Sequence, residues 1–133
     1  MQALLLSIAS GWLVVCLFAI ASLLPWAVSR NPAAEFRWHF SIGQAIAPIA
    51  LLHSWPAMSQ GWAMRAGQAG IYAASTAFLL LFVQAGLGLR LRDSRGPARR
   101  RLRRVHFAAM AVVAGLVAVH IGSNSMIVSW LRS

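Results

Sequence analysis

RWHFSIGQAIAPIALLHSWP (Arg37–Pro56) and RRVHFAAMAVVAGLVAVHIGSN (Arg103–Asn124) hold all four histidines of the chain, His39, His53, His106 and His120. Within each stretch the two histidines stand fourteen residues apart. At about 1.5 Å rise and about 100° per residue, that spacing advances a helix by about 21 Å and brings the side chain back to within about 40° of its starting direction. Both members of a pair therefore look out from one helix face. The residues between them are almost entirely apolar, and an ionisable residue inside a membrane segment is costly enough to mark a functional site whose partner must be sought.

The rest of the chain agrees with a membrane setting. Hydrophobic residues make up 59% of its 133 residues and charged residues 11%, against about 25% charged in an ordinary soluble domain. Four stretches approach or exceed the roughly 20 apolar residues of a spanning helix: Ala3 to Val28, Trp38 to Met58, Gly67 to Leu89 and Val105 to Trp130. The first has no basic residue ahead of it and is longer than a signal peptide's apolar region, so it reads as a retained helix. The expectation is an all-α integral membrane four-helix bundle, one domain over residues 1–133. The loops are too short for a soluble catalytic domain, so any soluble redox domain belongs to another chain. Cys16 is the single cysteine, which rules out a disulfide or thiolate cluster within the chain, and it reads as a small buried hydrophobe.

The net charge of +10 would point to nucleic acid in a soluble protein, but here its distribution follows topology. Arg90 to Arg104, RLRDSRGPARRRLRR, contains eight arginines and the first loop contains Arg30 and Arg37; the other side has Arg65 and Arg132. The positive-inside rule places the first and third loops in the cytoplasm and both termini outside, as in a multi-pass protein of the cell inner membrane. Anionic lipid or an acidic partner surface suits the basic loop better than nucleic acid.

Turn chemistry divides the segments. Asn31 and Pro32 close the first helix, Pro56 marks the end of the second, and Gly96 and Pro97 break the third loop. Trp26, Trp38, Trp55, Trp62 and Trp130 lie near segment ends, where indoles prefer the interface. Pro48 removes a backbone hydrogen bond inside the second helix and is expected to bend it. Small residues crowd the histidine helices: Gly43, Ala45, Ala47 and Ala50 on one, and Ala108, Ala109, Ala111, Ala114, Gly115 and Ala118 on the other. They serve either close helix packing or space for a flat macrocycle.

With both termini outside, the second and fourth helices run in the same direction, so their histidines meet at matching depths. The expected pairs are His39 with His106 and His53 with His120. Two axial imidazoles close both coordination positions of a haem iron, which gives an electron-transfer centre rather than an oxygen-binding one. Two such haems would be stacked with irons roughly 20 Å apart, from the helical rise. No Cys-x-x-Cys-His is present, so the haems would be b-type. A zinc or copper centre using all four histidines is excluded by their separation along the helix. Arg37, Arg103 and Arg104 are placed to bond propionates at the inner haem, and Ser54, Ser123 and Asn124 at the outer; each also fits a plain solvated role. Gly86 and Gly88 do not complete a dinucleotide fingerprint. Glu35, four residues before His39, is either a proton relay beside a quinone or an ordinary carboxylate balancing Arg37.

On these two histidine stretches the chain resembles the di-haem cytochrome b group, including the cytochrome b561-like and quinol-cytochrome c reductase b-type membrane subunits. In that group, histidine pairs spaced by thirteen or fourteen residues on two parallel helices hold two stacked b haems. The resemblance implies transmembrane electron transfer by a subunit of a respiratory or other redox complex, exchanging electrons with the quinone pool and with another redox subunit. The chain lacks the further helices and the quinol-oxidation motif of the full-size members, so what the resemblance implies is an electron-transfer subunit rather than a complete enzyme. The competing expectation is a non-redox membrane anchor or assembly subunit whose histidines bond between helices.

Overall fold

The computed structural model describes residues 2–27, 32–59 and 68–124. They form four α-helices: α1 Gln2–Ala27, α2 Pro32–Ser59, α3 Gln68–Asp93 and α4 Gly96–Asn124. Three of them include stretches long and apolar enough to cross a membrane, Leu5–Leu24, Gln68–Asp93 and Gly96–Ser123. The second helix, expected to be a fourth such span, is long enough but not among them. Arg37, His39, Gln44, His53 and two prolines within its 28 residues dilute its apolar content.

The helices begin and end elsewhere than turn chemistry alone predicts. Pro32 does not lie in a loop but opens α2, where its missing N–H costs no hydrogen bond, and the helix includes Glu35 and Arg37. Pro56 does not end α2, which continues to Ser59 with both Pro48 and Pro56 inside it. The arginine-rich segment is not a loop either, since only Ser94 and Arg95 lie outside helix between α3 and α4. Gly96 follows with φ +60°, a left-handed conformation that costs any residue with a Cβ, and Pro97 takes the next position. Trp62, Arg65, Trp130 and Arg132 lie outside the described residues, as do Arg30 and Asn31. The side chains of Trp26, Glu35 and Asn124 are likewise outside those described.

The chain divides into two compact units, Met1–Gly61 with α1 packed on α2 and Trp62–Ser133 with α3 packed on α4. Each is an antiparallel helical hairpin with a thin core. In the first, Ser7, Ser10, Ala21, Ile46 and Ala50 are buried; in the second, Gly70, Ala73, Ala77 and Val113 are. The outward surface is apolar: Leu5, Leu23, Leu51, Leu79 and Phe82 are all exposed, an arrangement suited to hydrocarbon and costly in water. Cys16 is exposed on α1 rather than buried. Trp38 and Trp55 are exposed towards the two ends of α2.

Small residues do allow close packing, but chiefly on α1 and α3. Among the small residues anticipated on α2 and α4, only Ala50 is buried. A Cβ added at Gly43 or Gly115 would meet nothing within 4 Å.

Candidate functional site

Three positions spaced by seven residues define the inner face of each histidine helix. On α2 they are His39, Ile46 and His53, and Ile46 is 4% exposed; on α4 they are His106, Val113 and His120, and Val113 is 1% exposed. Seven residues bring a side chain back to within about 20°, so each buried aliphatic lies midway between two histidines on one stripe. All four histidines are half-buried.

The partner stripe runs along the neighbouring helix of the same hairpin. The Nδ1–H of His39 donates to the carbonyl oxygen of Ala21 at 2.9 Å, and that of His53 donates to the carbonyl of Ser7 at 2.7 Å. Moving fourteen residues forward on α2 therefore moves the contact fourteen residues back on α1, as an antiparallel pair requires. In the second hairpin, Nδ1–H of His120 donates to the carbonyl of Gly70 at 3.0 Å, while His106 faces Gln84, fourteen residues further along α3. The two hairpins thus repeat one register: Ser7 and Ala21 in α1 take the places of Gly70 and Gln84 in α3. The sequence around the first histidine repeats as well, Arg37-Trp38-His39-Phe40 against Arg104-Val105-His106-Phe107.

The fourth contact differs in kind. The Gln84 side-chain amide nitrogen lies 3.1 Å from the carbonyl oxygen of His106, where only a donor fits, and 3.3 Å from His106 Nε2. That nitrogen therefore accepts. A side chain also donates to a histidine carbonyl in the first hairpin, though at the other end of the stripe, where the Ser7 hydroxyl bonds the His53 carbonyl at 3.2 Å. Gln84 Oε1 is buried without a hydrogen-bond partner among the described residues.

All four rings reach the same protonation pattern by these two routes. A carbonyl can only accept, so the proton of His39, His53 and His120 sits on Nδ1, and the Gln84 amide imposes the same choice on His106. The lone pair is at Nε2 in every case. For His39, His53 and His120 this is the arrangement that orients a metal-binding imidazole, with one ring nitrogen fixed by a hydrogen bond and the other carrying the donor pair. His106 differs, since its ring meets Gln84 through Nε2 itself, and any metal there would have to displace the amide.

Packing at the rings is tight on one side. A Cβ on Gly11, one turn beyond Ser7, would lie 2.8 Å from both Cε1 and Nδ1 of His53, so this glycine makes room for the imidazole. Gly88, one turn beyond Gln84, would bring a Cβ within 3.9 Å of His106 Cε1, an ordinary contact. Arg37, Arg103 and Arg104 are exposed within three residues of the first histidine of each pair. Ser54 donates back to the carbonyl of Ala50 at 2.9 Å, so its proton is engaged within its own helix, and Ser123 is exposed. Glu35 is the fourth residue of α2, a position where a carboxylate complements the helix dipole. Among the described residues, no three His, Cys, Asp or Glu side chains gather as a metal-ion cluster.

Ser7, Gly11, Ala21, Gly70 and Gln84 were not anticipated from sequence. For Gln84 a signal existed, since it is the one polar residue between Thr76 and Arg90. No protein-family model, curated protein or solved structure matches the chain.

Proposed function

We propose that the chain is a di-haem membrane cytochrome b that carries electrons across the cell inner membrane as a subunit of a redox complex. Its ligand pairs are His39 with His106 and His53 with His120, and it exchanges electrons with the quinone pool and with another redox subunit. The observation that carries this reading is the common state of the four histidines, each half-buried at a matching register with its lone pair at Nε2. Haem supplies the one-electron chemistry when bound. The chain's own part is to hold the imidazoles of His39, His53 and His120 by Nδ1, to position His106 beside Gln84, and to keep apolar side chains around them. It also offers the exposed guanidinium groups of Arg37, Arg103 and Arg104 to propionates. In this reading α2 and α4 run in parallel within a four-helix bundle, both termini lie outside, and the α3–α4 turn lies in the cytoplasm.

A second reading, structural histidines in an anchor or assembly subunit, is favoured by the bonds from His39, His53 and His120 to the neighbouring helix, since such bonds tie membrane helices together without any cofactor. Purified protein from haem-replete cells separates the two. The redox reading expects a dithionite-reduced b-type α band and about two haems per chain by pyridine haemochrome, as the two bis-histidine pairs require. His53→Ala should remove one haem and leave the other. A colourless protein, or a single-histidine variant that keeps full haem content, decides for structural histidines or for other ligands.

A further inference from the structure

The end of the second hairpin concentrates the charge of the molecule in a folded form. Arg90 and Arg92 stand in the last turn of α3, Arg95 in the turn, and Arg99, Arg100, Arg101, Arg103 and Arg104 in the first turns of α4, all eight exposed. Asp93 is the only carboxylate among them and pairs with Arg92 at 3.2 Å. Membrane topology asks for cations on one side, but it does not ask for a helix through them.

Length locates this tip. From Val105 to Ser123, α4 is apolar over about 27 Å, close to the roughly 30 Å of a hydrocarbon core. Gly96 to Arg104 adds about 14 Å beyond that, whereas the headgroup layer on one side is about 5–8 Å thick. Arg103 and Arg104 fall at the hydrocarbon boundary, and Arg99, Arg100 and Arg101 at the headgroups or just outside them. Around the helix these five occupy an arc of about 200°, and Ala98, Leu102 and Val105 fill the rest.

Such a helix start opposes itself electrically. Like charges stand one turn apart, and cations occupy the positive end of the helix dipole with no acidic residue in the first turn. A layer of phosphates relieves both. Every cationic side chain in the sequence is arginine, whose planar fork binds phosphate bidentately.

We infer that the α3–α4 tip is a docking surface for anionic lipid headgroups and that the helical state of Gly96–Arg104 depends on them. The inference does not rest on haem binding. It is tested on the full-length chain in nanodiscs of phosphatidylcholine or phosphatidylglycerol, by amide hydrogen exchange at residues 96–104. Exchange should be slower in phosphatidylglycerol by roughly tenfold and the difference should shrink at high salt, as screened charge contacts do. The variant Arg99→Gln/Arg100→Gln/Arg101→Gln, relieved of most repulsion, should lose most of that lipid dependence. Spin-labelled lipid on the wild-type protein gives a second readout, with phosphatidylglycerol retained at the protein in preference to phosphatidylcholine. Equal exchange in the two bilayers, an unchanged lipid dependence in the triple variant, or protection induced by soluble polyglutamate and not by phosphatidylglycerol would each overturn the inference.

Discussion

Gly11 and Gly43 make a matched pair at the scale of single residues. Adding a methyl group at Gly11 drives it to 2.8 Å from the His53 ring, so Gly11→Ala should displace the imidazole from the Ser7 carbonyl and destabilise the hairpin by about 1–3 kcal/mol, the usual cost of overpacking. Gly43→Ala, with open space around it, should be neutral or slightly stabilising through helix propensity. Unfolding in mixed detergent micelles compares the two directly. Gln84 permits a second comparison at this scale. Gln84→Leu removes the donor to both the carbonyl and Nε2 of His106, a loss of about 0.6 kcal/mol by the average of interhelical bonds in membranes. Nitrogen-15 shifts of the imidazoles should change at His106 and stay constant at His39 and His53. If haem is bound, the same variant should alter the midpoint potential of the His106 centre alone, because the polar amide beside that histidine has been replaced by an apolar side chain.

At the scale of elements, one glycine shapes a turn between helices and two prolines lie inside a helix. At the α3–α4 turn only two residues separate the helices, and Gly96 at φ +60° makes so tight a reversal possible. Gly96→Ala should therefore cost about 1 kcal/mol, visible as a lower melting temperature of the purified protein. Proline within α2 has the opposite character. Pro48 is exposed and removes the hydrogen bond to the Gln44 carbonyl, so Pro48→Ala should strengthen the helix, whereas Pro56 is buried and its replacement by alanine leaves a void. Circular dichroism during detergent unfolding should separate the two variants by sign.

Over the whole molecule the repeated register is the main organising fact. Each hairpin has its own heptad stripe and its own pair of histidines, and α1 packs on α2 as α3 packs on α4. A chain divided between Gly61 and Trp62 should yield two fragments that each retain their hairpin, which paired cysteines across α1 and α2, or across α3 and α4, would report by crosslinking. Under the di-haem proposal the co-expressed fragments should purify together only when haem is supplied. Association independent of haem would favour the structural role.

Apolar composition and the two spacings of fourteen were sufficient, as sequence, to establish an all-helical chain with histidine pairs on single helix faces, because hydropathy and helical periodicity are local properties. Sequence was less informative about helix ends, where Pro32, Pro56 and the arginine run were each compatible with a loop yet lie within helices, Ser94 and Arg95 apart. Tertiary structure alone decided what each imidazole meets. For His39, His53 and His120 the acceptors are backbone carbonyls, a group that every residue possesses and that leaves no mark in a sequence, and they come from positions between 18 and 50 residues away.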